Sequence, residues 1–179
     1  MKKELLIGCG RNTTKQMAID PNDSAWSNVT TLDINPEHNP DVIWDLTNIP
    51  LPFDDEQFDE IHAYEVLEHT GSQGDYKFFF AQFEEFYRIL EPNGLILFSV
   101  PNWKSPWALG DPSHTRVMPP EMLTFLSQLE YTKQVGITAM TDFRYIYKAD
   151  FDTIGLQETE HRNFIILKAV KPSRIDYGN

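Results

Sequence analysis

Short apolar runs set off by turn residues dominate the first hundred positions. Leu5–Gly8, Val29–Ile34 (VTTLDI), Val42–Leu46 (VIWDL), Phe58–Tyr64 (FDEIHAY) and Gly94–Val100 (GLILFSV) are each at least half apolar. Runs of this kind, bounded by Gly, Pro, Asn or Asp, fit central strands of a parallel sheet. The fifth is stopped by Pro101. From Tyr76 the period changes. Apolar residues recur at Phe79, Phe80, Phe83, Tyr87 and Leu90, the spacing of one helix face, and EPNG (Glu91–Gly94) ends the helix as a turn. Phe78 falls off this stripe and is expected to face away from it, with an interface as one reading.

A second helix is predicted from Pro119-Pro120, with Met122, Phe125, Leu126 and Leu129 as its inner stripe; proline suits a first helical turn. The tail offers two strands, roughly Phe151–Glu160 and Asn163–Val170, with room only for a tight turn between them, so this pair is antiparallel. The sum is an α/β fold: a mostly parallel seven-stranded sheet with a C-terminal antiparallel hairpin, residues 1–179 forming one domain.

Two connections break the βαβ rhythm. TTKQMAIDPNDSAWSN, between the first and second strands, holds a proline and an Asn/Asp/Ser cluster, so it reads as a short helix or mostly loop. NIPLPFDDEQ carries two prolines and is also loop. One side of the sheet is therefore expected to be thinly covered. Asn102–Pro120 forms a long loop beyond the carboxyl end of the fifth strand, the edge where open α/β sheets bind ligands.

Composition narrows the setting. At 179 residues with 41% hydrophobic content, the chain can bury a full single core and is not a disordered type. No apolar run approaches the roughly 20 residues that span a bilayer. MKKELLIGCG reads as a first core strand and not as a signal peptide. The one cysteine, Cys9, excludes an internal disulfide, and with no export signal a cytoplasmic home is expected. A net charge of -12 disfavours non-specific binding to nucleic acid or anionic membranes. Oligomeric state is not readable.

Candidate chemistry gathers at the strand ends. Gly8 and Gly10 flank a tight turn after the first strand, where glycine permits positive φ and close approach of a ligand. Asp33 ends the second strand, 23 positions after Gly10, and a carboxylate there can accept two hydrogen bonds from a ribose diol. Asp45 lies near the end of the third strand, where it could meet an adenine edge. Each feature alone has an ordinary reading as a turn or strand cap; their succession along one rim points to a nucleoside cofactor.

LLIGCG, TLDINP, DLTNIPLPFDDEQFDEIHAYEVLEH and FYRILEPNGLILFSVPN together resemble the class I S-adenosylmethionine-dependent methyltransferases, and in particular the branch known as methyltransferase domain 11. More narrowly, AWSNVTTLDINPEHNPDVIWDL and DPSHTRVMPPEML resemble a group of small predicted bacterial methyltransferases. The resemblance implies a Rossmann-like three-layer sandwich, here with thinned helix cover, S-adenosylmethionine as cofactor and S-adenosylhomocysteine as product. It implies that Gly8, Cys9 and Gly10 meet the methionyl part through backbone atoms. Asp33 would hold the ribose hydroxyls and Ile34 would pack on adenine. Asp45 would accept from the adenine amino group, with a backbone contact from Leu46. Tyr64 and Glu65 would border the methionine amino and carboxyl groups. Arg11-Asn12 stands where the family often has Thr-Gly; Arg11 could pair with the methionine carboxylate.

Methyl transfer needs the acceptor held in line, about 3–3.5 Å from the reacting carbon, and sometimes a base. His69 in EVLEHTG and His114 in DPSHTR are the candidate bases, each with a purely structural reading beside it. Arg116 would bind an anionic acceptor group or, slightly favoured, pair with Asp111. Trp103 and Trp107 would wall an acceptor pocket or simply cover the loop. Glu65-x-x-Glu68-His69 approximates an inverted zinc-peptidase pattern but has Glu where that pattern needs His, so no metal site is expected. A DNA amino-methylase would show an (Asp/Asn/Ser)-Pro-Pro-aromatic tetrad where this chain has Ala63-Tyr64-Glu65-Val66. The acceptor expected is a small molecule or a sugar-linked metabolite. A basic protein acceptor also suits the acidic surface. A non-catalytic cofactor-binding protein and a nicotinamide-dependent oxidoreductase are the competing readings, the latter weakened by the missing third glycine.

Overall fold

The computed structural model describes residues 1–175. Seven strands, β1 (Glu4–Ile7), β2 (Val29–Asp33), β3 (Val42–Ile43), β4 (Phe58–Tyr64), β5 (Leu90–Pro101), β6 (Phe151–Glu158) and β7 (Arg162–Ala169), form one sheet in the order β3-β2-β1-β4-β5-β7-β6. The first five run parallel, while β7 is antiparallel to both β5 and β6. The chain moves outward from β1 to β3 and then returns to lay β4 on the other side of β1. That reversal opens a crevice at the carboxyl ends of β1 and β4.

Helix α1 (Tyr76–Ile89) covers one face. It starts where the Asp75 side chain accepts from the Phe78 amide, and it buries Phe79, Phe80, Phe83, Phe86 and Ile89. Leu90 is already extended. EPNG is not a free turn before the strand. It is a bulge inside β5, where the register slips from Phe58↔Leu90 to Glu60↔Leu95 and Asn93 takes φ +65°. Phe78 lies off the buried stripe as its spacing predicts, but it is half-buried against the chain itself, lying over Gly71, with the Arg116 guanidinium carbon 5.9 Å from its ring.

The second predicted helix is two pieces, a 3₁₀ segment Pro120–Leu126 and then α3 (Gln128–Gln134). The tighter 3₁₀ pitch rotates the inner stripe. Leu123, Leu126 and Tyr131 are buried, whereas Leu129 is exposed. The long loop after β5 holds only a short helix, α2 (Trp107–Gly110).

The opposite face carries no helix between β1 and β2. Residues 11–28 cross it as an extended strap, and the surface beneath is charged. Glu4 and Glu60 stand directly opposite each other on β1 and β4, an arrangement that destabilises a sheet unless neutralised. Lys15, from the strap, supplies the neutralising charge. Its Nζ lies 2.6 Å from Glu4, 3.2 Å from Asp23 and 3.7 Å from Glu60, with its side chain 1% exposed. Lys2 bridges Asp23 and Glu60 from the edge. His62 Nε2 touches Glu60 at 3.1 Å, and its Nδ1 meets the Tyr64 hydroxyl at 2.6 Å.

Burial pushes the Glu60 carboxyl up, but His62 and Lys2 more than offset this and hold it down at about 2. A carboxyl depressed on folding adds stability above its unfolded value, near 4.5, and that stability is lost as pH falls through the folded value. That contribution is removed between roughly pH 4.5 and 2. Urea midpoints measured from pH 6 down to pH 3 are expected to fall steeply in the wild type and less steeply in Glu60→Gln.

Candidate active site

A cavity of about 410 Å³ opens at the switch between β1 and β4, within the range of small-molecule sites. Gly8, Gly10, Asp33, Ile34, Asp45, Leu46 and Glu65 line it, together with His69. The turn after β1 needs glycine. Gly8 has φ +59°, and a Cβ there would meet the Val66 Cγ2 at 2.5 Å. Gly10 has φ +54°, and a Cβ there would enter open space. Its amide donates to Asp33 Oδ2 at 2.8 Å, while the Asn35 amide donates to Oδ1 at 2.8 Å. The carboxylate thus ties the glycine turn to the end of β2 and keeps a lone pair on Oδ2, while Oδ1 also faces His38 Nδ1 at 3.2 Å. Burial alone would raise the Asp33 carboxyl. The Asn35 and Gly10 amides and His38 reverse that, so it sits below the usual aspartate range.

Asp45 Oδ1 accepts from the Thr47 amide and hydroxyl, both at 2.8 Å, which fixes it at the cavity rim. Glu65 holds φ +56°, a costly conformation for a residue with a side chain. It is pinned by its amide to Ser99 O at 3.0 Å and by Ser99 Oγ to its Oε1 at 2.7 Å. Exposed Ile34 presents an apolar flank.

Three predicted cofactor residues do not line this cavity. Cys9 is buried, with its amide on Leu32 O at 3.2 Å. Arg11 is exposed. The Tyr64 side chain points to the opposite face, where its hydroxyl accepts from the Gln16 and Met17 amides at 3.2 and 3.3 Å. Sequence reasoning missed His38, whose Nδ1 is 3.2 Å from Asp33 Oδ1, and also Trp44 and Thr70 in the wall. The short 3₁₀ turn Pro36–His38 that brings His38 back onto Asp33 has a legible signal in Asn35-Pro36, with Asn35 accepting from the Glu37 amide.

A second cavity, about 460 Å³, lies on the side of the long loop, lined by Trp103, Leu109, His114, Arg116 and Val117 among others. Trp107 lines neither cavity and is 62% exposed. Arg116 does not pair with Asp111. It is buried, and it donates to Leu67 O at 2.8 Å, Thr70 Oγ1 at 3.0 Å and Gln82 Oε1. Burial lowers its guanidinium to about 10, with Glu68 and Asp75 opposing. Between the cavities, the His69 and His114 rings meet edge to face at 4.7 Å. Behind them the Glu68 carboxyl is buried, and neither oxygen has a hydrogen-bond partner. Burial pushes it up to about 8, with Glu65 adding and Arg116 and Arg162 opposing.

A family model described as "Methyltransferase domain" matches residues 5–98, more than half of the chain. The chain belongs to this methyltransferase family. It is an S-adenosylmethionine-dependent methyltransferase of the Rossmann-like class. None of the curated proteins matches it in sequence. Solved structures share the methyltransferase's fold at low identity. A SAM-dependent methyltransferase from Archaeoglobus fulgidus superposes with TM-score 0.58 and 18% identity, over 93% of this chain and 86% of that one. The N-methyltransferase NodS from Bradyrhizobium japonicum WM9, in complex with S-adenosyl-L-homocysteine, gives 0.55 and 14% over 94% and 78%. A putative methyltransferase in complex with the Haloferax volcanii Trm112 activator gives 0.57 and 13% over 94% and 83%. Among the described residues of this methyltransferase, no helix is long and apolar enough to cross a membrane.

Proposed function

We propose that the enzyme methylates a small-molecule or sugar-linked acceptor by in-line displacement. Bound S-adenosylmethionine supplies a methyl group already activated on a sulfonium. The chain's own residues bind and orient. Asp33 takes the ribose diol, Ile34 and Leu46 flank the adenine, and Asp45 accepts from its amino group. The Gly8–Gly10 turn and Glu65 border the methionyl end. The segment 102–120 covers the acceptor, with Trp103 against its apolar part. His69 and His114 face its nucleophilic atom.

The observation that carries this reading is the contact of those two rings. His69 belongs to the wall of one cavity and His114 to the wall of the loop-side cavity, so the two spaces adjoin at this ring pair, and an acceptor held in the second would lie beside a methyl group in the first. Calorimetric titration with S-adenosylmethionine, S-adenosylhomocysteine and NAD, followed by an acceptor screen with a radiolabelled methyl donor, tests it. Binding of NAD in place of the sulfonium would overturn it. Cofactor binding without transfer to any acceptor class would favour the non-catalytic reading.

A further inference from the structure

We infer that Glu68, His69 and His114 form a binding site for one divalent transition-metal ion, which holds an oxygen atom of the acceptor beside the cofactor cavity. One ligand atom from each residue lies within 4.8 Å of the others. Donors sharing an ion at about 2.1 Å stand roughly 3–3.5 Å apart, so a shift of about 1 Å closes the set. His69 is exposed, and turning its ring about the Ser113 contact would supply that shift.

Three independent details point to a cation. Glu68 is 2% exposed, and both its oxygens lack a hydrogen-bond partner, a costly state for a buried carboxyl. Arg116, the nearest buried cation, aims its guanidinium at Leu67, Thr70 and Gln82 and not at the Glu68 carboxyl. The second detail is His114. Its side chain is 9% exposed, its Nδ1 is buried without a partner, and its Nε2 lies 3.9 Å from Asp111 Oδ2. The third is His69, whose Nδ1 is 3.2 Å from the Ser113 carbonyl. A ring nitrogen facing a carbonyl is the protonated one, which leaves Nε2 with its lone pair. Metal-bound histidines are held in this way, with the second ring nitrogen on a carboxylate or a backbone carbonyl. The DPSHTR loop therefore supplies one ligand and, through the Ser113 carbonyl, the outer partner of His69, with Asp111 Oδ2 3.9 Å from His114 Nε2 and in place to approach it.

Two histidines and a carboxylate on one side of an ion leave coordination positions open on the other. Here that side borders both cavities, since His69 lines one and His114 the other. The chemistry that would fill an open position is a hydroxyl, phenol or carboxylate oxygen. A hydroxyl bound there would lose its proton to solvent more readily than in water, and the histidines would hold the ion instead of acting as bases.

This substrate class rests on the methyl-transfer reading; the site itself does not. Cobalt(II) is the probe, added to metal-free protein and followed by its visible absorption and by equilibrium dialysis. One equivalent is expected to bind. Glu68→Gln, His69→Ala and His114→Ala should each weaken binding by at least about 100-fold, and Asp111→Asn by roughly 10–100-fold. His69 is exposed, so His69→Ala tests the site even if a buried variant fails to fold. A hydroxamate, as a chelating oxygen donor, should shift the cobalt spectrum. Absence of stoichiometric binding, or binding that survives His69→Ala and Glu68→Gln, overturns the site; an unshifted spectrum overturns the oxygen acceptor. Titration of the same samples with S-adenosylhomocysteine separates the two readings. Protein that binds cobalt but not the nucleoside sinks the methyltransferase assignment alone, and the reverse sinks the metal site alone.

Discussion

Asp33→Ala is expected to lower the affinity for S-adenosylhomocysteine by at least about 100-fold. The carboxylate accepts from the Gly10 and Asn35 amides; one ribose hydroxyl would take the remaining lone pair on Oδ2 and a second would take the place of His38 Nδ1 on Oδ1. Hydrogen bonds to a charged group contribute roughly 1.5–3 kcal/mol each, so losing two gives about 3–6 kcal/mol. The alanine also releases the Gly10 amide, and the glycine turn loses its tie to β2. Asp33→Asn separates the effects. The amide keeps the shape and one acceptor oxygen, so an intermediate loss is expected. Isothermal calorimetry at constant salt, with thermal melts to confirm folding, reads both variants. Unchanged affinity in Asp33→Ala would place the nucleoside elsewhere in the molecule.

Lys15→Met is expected to destabilise the fold by about 3–5 kcal/mol, because it removes one member of a buried charge group and strands the others. Glu4 is 0% exposed and Glu60 5% exposed. Without the ammonium, Glu4 keeps only the Ser27 amide at 2.7 Å, and it faces Glu60 across the β1–β4 ladder. For a chain of this length the loss corresponds to a melting shift of roughly 6–20 °C. Adding Glu4→Leu to Lys15→Met should recover much of it, since an apolar pair in place of a buried ion pair is often neutral or better. Denaturant curves for the two single variants and the double variant form a cycle. Near-additive losses would show that Glu4 and Lys15 do not depend on each other.

The parallel half of the sheet was legible because buried parallel strands announce themselves as continuous apolar runs. All five runs became strands. VIWDL shortened to Val42–Ile43, since Trp44 and Asp45 turn away to form the cavity wall. The two errors of periodicity have local causes. The bulge at EPNG is set by a positive φ at Asn93 and by the backbone crowded around Gly94. The helix after Pro120 changes pitch at Ser127. At the site, the residues that line the β1–β4 cavity were legible as a group because they follow successive strand ends. Tyr64 was misread because strand alternation sends its side chain to the face opposite Glu65, a direction that depends on where the strand stops. Glu68 was weighed within the EVLEH pattern and set aside, because its environment depends on a loop remote in sequence. The Arg116 amide reaches back to the Glu68 carbonyl at 3.2 Å and brings His114 with it. The buried charges under the strap were invisible for a similar reason. Glu4, Lys15 and Glu60 are unremarkable polar letters until β1 and β4 align.

That strap gives the molecule an uneven resistance to opening. Peeling residues 11–28 from the sheet wets carboxylates and an ammonium group together with the Trp26 ring that packs on His62, so ion hydration enters the event as it does not in opening the aromatic core. Dissolved electrolyte should govern it more than heat does. The glycine turn at its root could then loosen while α1 and the aromatic core beneath it stay shut.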